Sequence, residues 1–321
     1  MTQKQTPSDT IVRQAKDADW HEVVECWYGY EKGTPENLSF VNGLLNTSSA
    51  YTSWGLWKQQ HLQAVCWVSN GAIQYAHVLP VRSIYRFDTP LHQKTIVELW
   101  QYVTEYYFDQ GVLYFQALIS KELSHETESL QVLGFAPLAN IVRMRLLKDT
   151  NFTASPEEDV TLDVGCDRSL FIQVLKHCFW DSLDVPELNV LNSQQALVQQ
   201  YDGPSVICVT IERIGEPIGV IAIETDGENV VLKYIGLVPE ARGEGYASKA
   251  LAMLIAKLFH TNSHLLRGLS PLGSLKSINT IELRVDARNA PAIRLYKNAG
   301  FTEFDTETML LYPPITSPGL R

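Results

Sequence analysis

The sequence predicts an α+β protein built from two copies of one structural plan. Three observations carry that reading. The same order of strands and helices occurs twice, a polar proline-bearing stretch separates the two runs, and a turn with two glycines joins a strand to a helix in the second run.

Each copy opens on a short strand, at residues 10–13 and 160–164, and continues into a helix that ends at Cys26-Trp27 or at Cys178-Phe179-Trp180. Both helices run into a loop holding Pro-Glu, at residues 35–38 and 186–189. A hairpin follows, residues 54–57 with 62–68 and residues 206–211 with 218–223, its turn marked in the second copy by Gly215-Glu216. A third strand reaches Leu79-Pro80 or Val238-Pro239, where proline removes the next ladder donor and ends the strand. A long amphipathic helix comes next. Each copy closes with a strand, a helical turn and Gly-Phe, at Gly134-Phe135 and Gly300-Phe301. Residues 148–159 are polar and carry Pro156, so the reading is a first domain at 1–147, a linker at 148–159 and a second domain at 160–321.

The most informative stretch is 242–247, Arg-Gly-Glu-Gly-Tyr-Ala. Before it lies the apolar, β-branched run 230–238; after it Ala247, Ala250, Leu251, Leu254 and Leu258 recur at helical spacing. A turn of this kind aims unpaired backbone N–H groups at one point, at the positive end of a helix dipole, and suits a phosphate. Gly243 and Gly245 bring no side chain that would hold an anion at a distance. A plain strand-to-helix connection can also carry two glycines.

Composition narrows the function classes. Of the residues 45% are hydrophobic and 19% charged, which fits a globular core in 321 residues. The net charge of −10 argues against a nucleic-acid partner, which needs a basic footprint, and is compatible with a cationic substrate. No apolar stretch is long enough for a membrane span, and the polar first residues lack a signal peptide's apolar core. The five cysteines show no C-x-x-C pair and the eight histidines no clustering, so the expectation is a cytoplasmic protein with free thiols and no metal site.

With the 242–247 turn and residues 289–301 both in view, residues 160–312 resemble the GNAT acetyltransferase superfamily. The first motif reads R-x-x-G-x-A between strand and helix. The second, Asn289-Ala290-Pro291-Ala292-Ile293-Arg294-Leu295-Tyr296-Lys297-Asn298-Ala299-Gly300-Phe301, matches N-x-x-A-x-x-x-Y-x-x-x-G-F. The whole chain is similar in layout to tandem-domain members such as mycothiol synthase. The resemblance implies α/β/α layers in each copy, a mixed and mostly antiparallel sheet flanked by helices.

It further implies acetyl-CoA as co-substrate. The pyrophosphate would lie on the backbone amides of Arg242, Gly243, Glu244, Gly245, Tyr246 and Ala247, and the pantetheine arm along main-chain groups of Ile235, Gly236 and Leu237. Gly236 in mid-strand suits a bulge or a close backbone approach, or serves packing alone. Tyr296 corresponds to the family's general acid for the departing thiolate, the alternative being a core tyrosine. Asn289 would cap the helix near Pro291 or contact the pantetheine arm. The position at which many members carry a glutamate base is Val231, which accepts no proton. Glu224 and Asp286 are the candidates for that role, each equally readable as a solvated carboxylate. Trp180, Asp181, Asp184 and Glu187 form the candidate acceptor wall, able to hold an ammonium group through charge and cation–π contacts, or else to cap and pack.

The first copy lacks these parts. Counted from its proline, Arg86 answers Gly245 and Asp88 answers Ala247, while Leu130 stands where the second copy has Tyr296. No CoA site is expected there. Three function classes follow: an N-acetyltransferase acting directly on a primary amine of a small molecule or peptide, a non-catalytic acetyl-CoA-responsive regulator, and a transferase of another acyl group. The acceptor and the oligomeric state are not legible in the chain.

Overall fold

A computed structural model describes residues 10–28, 51–70, 75–79, 81–86, 88–148, 159–179, 181–189, 201, 206–226, 228–259 and 278–314. Contacts divide the chain into two compact units, Met1–Leu138 with Thr308–Arg321, and Ala139–Glu307. This division differs from the sequence boundary at 148–159. Most of that linker lies outside the described residues, and the closing strands are shared out differently. Val142, Met144 and Leu146 belong to the core of the second unit, and Leu310 to that of the first.

The first unit contains β1 (Thr10–Gln14), α1 (Trp20–Tyr28), β2 (Tyr51–Lys58), β3 (His61–Ser69), β4 (Tyr75–His77), β5 (Arg82–Ser83), α2 (Pro90–Phe108), β6 (Tyr114–Ser120) and α3 (Ser124–Val132). Strands β1, β2, β3 and β5 form an antiparallel sheet, and β4 pairs parallel with β6. Successive side chains of a strand point to opposite faces, so β3 serves two cores at once. Val65 and Trp67 pack with Val23, Cys26 and Trp27 of α1, whereas Ala64, Cys66 and Val68 pack with Ile96, Leu99 and Val103 of α2. The predicted loop at 35–38 lies outside the described residues.

The chain boundaries of the two units fall within β7 (Ala136–Leu147) and β13 (Thr302–Tyr312). The second unit adds β8 (Thr161–Val164), α4 (Arg168–Phe179), α5 (Pro186–Asn189), β9 (Val206–Arg213), β10 (Glu216–Asp226), β11 (Asn229–Leu237), α6 (Tyr246–Phe259), β12 (Thr280–Asp286) and α7 (Ala290–Asn298). Its strands run in the order β7-β12-β11-β10-β9-β8; only β11 and β12 are parallel neighbours. Alternation again builds three layers. Val206, Cys208, Val220 and Ala222 face Phe171, Leu175 and Cys178 of α4, while Ile207, Val209, Ile221 and Ile223 face Ala250, Leu254 and Leu258 of α6. The α/β/α layering with a mixed, mostly antiparallel sheet therefore holds in the second unit. Pro186–Asn189 is one helical turn where the sequence suggested a loop.

Both hairpins close through two residues of positive φ, Gln59-Gln60 and Ile214-Gly215, which matches the right-handed twist of the paired strands. The second turn thus sits one residue earlier than the predicted Gly215-Glu216. Among the described residues no helix is long and apolar enough to cross a membrane, and no cluster of His, Cys, Asp and Glu is suited to a metal ion.

Candidate functional site

Two parallel strands that part company create the site. β11 and β12 pair only from Asn229↔Thr280 to Leu232↔Leu283, yet β11 continues to Leu237 and β12 to Asp286. Past Leu232, β11 stays paired with β10 on its other side, out to Leu237↔Gly219. Its remaining edge is therefore open to an extended ligand that can take up the unused main-chain groups. A cleft of about 330 Å³ occupies the gap, lined on β11 by Lys233 to Leu237 and on the far side by Arg284, Val285, Asn289 and Tyr296.

A bulge marks the point of divergence. Ala222 pairs with Tyr234 and Ile223 with Leu232, which leaves Lys233 as the extra residue of β11. Gly236, expected to be a bulge or a close approach, is not the bulge. A Cβ placed there would lie 2.5 Å from the Tyr234 hydroxyl, so the glycine makes room for the phenol two residues before it on the same face. Tyr234 is flanked by Phe179 with ring centroids 4.9 Å apart, and burial raises its pKa well above the phenol value.

At the end of β11, Pro239 starts a short 3-10 turn and the chain enters α6 through Gly243 (φ +85) and Gly245 (φ +80). Both angles lie in the region that costs other residues steric strain. A Cβ at either position would meet nothing within 4 Å, so the space over the turn is open. The Gly245 carbonyl accepts the first helical bond, from Lys249 N–H at 3.2 Å, and the amides ahead of it have no carbonyl one turn back. This is a donor cradle at the positive end of a fourteen-residue helix. Glu244 is exposed, Ala247 half-buried, and the Tyr246 ring is buried under Arg213, leaving only its amide for the turn.

Arg242 contributes differently from a phosphate-binding arginine. Its guanidinium donates to Leu237 O at 3.1 Å, Cys178 O at 2.8 Å and Asp181 O at 3.5 Å, tying the end of α4 and the loop after it to β11. Asn289 caps α7, its Oδ1 accepting from Ala292 N–H at 3.2 Å, and also lines the cleft.

Tyr296 projects from α7 into the cleft, its ring edge-on to Phe301 at 5.9 Å. Burial first, and the charge of Asp184 second, push its phenol above the ordinary value, so the proton is resident at any working pH. Cys178 lines the same cleft, a residue that the sequence motifs did not single out. Burial pushes its thiol up to about 12, which disqualifies it as a nucleophile at neutral pH.

The four acceptor-wall residues and the two base candidates separate into distinct roles. Asp286 is fully buried; its oxygens accept from the N–H groups of Val185 and Arg288 and from the Arg288 guanidinium at 2.6 to 3.0 Å. A carboxylate so saturated is a structural latch, and its assignment as a possible base is corrected on that ground. Glu187 is locked bidentately to the same Arg288 at 2.6 and 2.9 Å, which lowers its pKa and takes it out of substrate binding. Glu224 is ion-paired with Lys233 at 3.0 Å and does not line the cleft. Asp181 is exposed with φ +58 and lines the cleft, as does Asp184. Trp180 lies outside the described residues. The sequence reading missed Arg288, although its place two residues after Asp286 puts it within reach of that carboxylate.

In the first unit the corresponding features are filled. Residues Arg82–Ser83, which answer Ala241–Arg242 when counted from the proline, pair with Val65 and Ala64 of β3. Arg86 and Asp88 pair with each other at 3.1 Å, and Thr89 Oγ1 caps α2 by accepting from His92 N–H. Leu130 is buried in the core.

A strand edge opened by divergence, a glycine cradle before a helix and a phenol across the gap meet in one site on a layered α+β scaffold. Residues 175–301 match the model of the acetyltransferase (GNAT) family. Comparison with curated proteins finds no match. Among solved structures the chain is similar to a GCN5-related N-acetyltransferase from Sphaerobacter thermophilus, with TM-score 0.62, 15% identity and 96% of each chain covered. It is also similar to a tandem GNAT protein from the clavulanic acid biosynthesis pathway, with TM-score 0.58, 10% identity, and 94% of this chain and 98% of that one covered. The likeness shows a tandem GNAT fold.

Proposed function

We propose that the protein is an acetyl-CoA-dependent N-acetyltransferase that acts on a primary amine of a small molecule or peptide, by direct transfer, with its one active site in the second half of the chain. The observation that carries this reading is the coincidence, in one cleft, of the open β11 edge, the Gly243/Gly245 cradle and the Tyr296 phenol.

The residues present suit acetyl-CoA. The amides of 243–247 would hold its pyrophosphate, and main-chain groups of Ile235, Gly236 and Leu237 not taken by β10 or by Arg242 its pantetheine arm. Open space over both glycines is the fit test that the turn passes. When bound, acetyl-CoA supplies the acyl group. Tyr296 delivers its proton to the departing sulfur, and Asp181 attracts the ammonium group at the mouth of the cleft. The high proton affinity of Cys178 favours direct attack over an acyl-cysteine route. Filling of the cradle in the first unit favours a single cofactor site per chain.

Calorimetry with CoA and acetyl-CoA, together with thiol release in the presence of amines, tests the reading. Binding of one equivalent with amine-dependent thiol release supports it. Binding without release across a broad amine panel favours a cofactor-responsive regulator instead, and stronger stabilisation by longer acyl-CoAs would favour a different acyl group.

A further inference from the structure

We infer that Asp184 is the general base of the reaction, the group that takes the proton from the incoming ammonium so that the amine can attack. This rests on the acetyltransferase reading above and identifies the residue that Val231 leaves missing.

The assignment follows from which carboxylates are free to act. Asp286 and Glu187 are saturated by Arg288, and Glu224 is paired outside the cleft. Asp184 differs from all three. It lines the cleft and is only half-buried. Its Oδ1 accepts from Asp286 N–H at 2.8 Å, which fixes the side chain, and among the described residues Oδ2 takes no protein donor. Its charge reaches both phenols of the cleft, Tyr296 on α7 and Tyr234 on β11. One oxygen is thus anchored and the other is available where the acyl carbon would sit across from Tyr296.

Other charged and titratable groups around the same cleft are Arg284 and Asp286 on β12, Arg288 just after it, Lys233 on β11, Arg242 of the turn, Cys178 on α4 and Asp181 of its own loop. Burial is the main influence and raises the Asp184 pKa; the Asp286 amide opposes that rise, the Asp286 charge adds to it and Arg288 counters it. A carboxylate moved toward neutrality is better matched to an ammonium proton than an ordinary one.

The step balances as follows. Asp184 accepts one proton from the ammonium, and the freed nitrogen lone pair forms the C–N bond at the acyl carbon. The C–S bond breaks with its electron pair going to sulfur, which takes the proton of Tyr296. The second nitrogen proton restores the Tyr296 phenol, and Asp184 releases its proton to water after the amide and CoA thiol leave.

The test uses the full chain with Asp184→Asn, which keeps an oxygen for the Asp286 amide. Thiol release from acetyl-CoA is followed with phenethylamine, cadaverine and a peptide bearing an N-terminal alanine, from about pH 6 to about pH 10. The expected result is a fall in kcat of about 100-fold or more near neutrality, shrinking to within about 10-fold at the alkaline end where the amine arrives neutral. CoA affinity should change less than about 2-fold, since Asp184 is no part of the cradle. A D184N rate within about 3-fold of wild type at neutral pH overturns the assignment alone. The wild-type kcat profile, extended down to about pH 4, gives a readout that needs no variant: it must lose rate on acidification before that limit, and a profile flat down to it overturns the assignment. No thiol release by the wild type with any of the three amines overturns the transferase reading, and this assignment with it.

Discussion

Asp184 and Asp286 hold each other's backbone in place across a separation of about a hundred residues. The Asp286 N–H donates to Asp184 Oδ1 at 2.8 Å, and the N–H of Val185, next to Asp184, donates to Asp286 Oδ2 at 3.2 Å. Arg288 binds Asp286 and Glu187 together. Two carboxylates brought this close are kept different by one arginine, which saturates Asp286 and leaves Asp184 facing the cleft.

Replacing Arg288 by Met removes the partner of a fully buried carboxylate. A broken buried pair is strongly destabilising, but the Arg288 side chain is 46% exposed and water reaches the gap. The expected loss is therefore at the low side, about 2 kcal/mol. Glu187→Gln should cost less than about 1 kcal/mol. Urea unfolding of each variant beside wild type measures both; an R288M midpoint equal to wild type would refute the latch.

The pH dependence of stability has a definite sign at Asp184. Its folded pKa is raised, so the folded state disfavours the ionised form, and the penalty appears as pH rises from the ordinary aspartate value of 3.8 through the folded pKa. D184N abolishes the penalty. Its Tm should match wild type at the acid end of that window and exceed it increasingly toward neutrality. Glu187 has the opposite sign: its pKa is lowered, so its contribution is complete above the ordinary glutamate value of 4.5 and is lost as pH falls further. Thermal scans across this range would expose a reversed trend.

Gly243→Ala and Gly245→Ala place a Cβ on backbone of φ +85 and +80. Each should destabilise by about 1 kcal/mol through strain alone, as nothing in the protein blocks the added methyl. Gly245→Asp should add charge repulsion and weaken CoA binding by about 10-fold or more, read by calorimetry. Unaltered affinity in the aspartate variant would move the pyrophosphate elsewhere.

Removing the Tyr296 hydroxyl in Y296F should lower kcat by about 100-fold and leave CoA affinity within about 2-fold, because the ring packing on Phe301 is retained. Stopped-flow thiol release separates the chemical step from binding. A rate equal to wild type would transfer the acid role to water.

Ile214 is 89% exposed and held at φ +53, a conformation that a β-branched residue resists. Asn suits the same hairpin turn, so Ile214→Asn should stabilise by about 1 kcal/mol. A lowered midpoint in chemical denaturation would count against the assigned turn.

The glycine cradle was legible because its determinants are local: Pro239 stops a strand, two glycines permit positive φ, and apolar spacing continues the helix. Asn289 and Tyr296 were legible for the same reason, lying on one short helix whose cap and cleft-facing residue are fixed by spacing. The base was not. Glu224, Asp286, Asp184 and Glu187 look alike as letters, and what divides them is burial and a partner brought from another element.

By itself the sequence determined the repeated plan, the alternating strands that serve two cores and the turn that gathers amides, since each depends on φ preferences and periodicity within a few residues. Only the tertiary structure decided where β11 and β12 separate, that Lys233 is the bulged residue, and which carboxylate Arg288 immobilises. Those outcomes depend on groups distant in sequence competing for the same donors, and no local pattern encodes the winner.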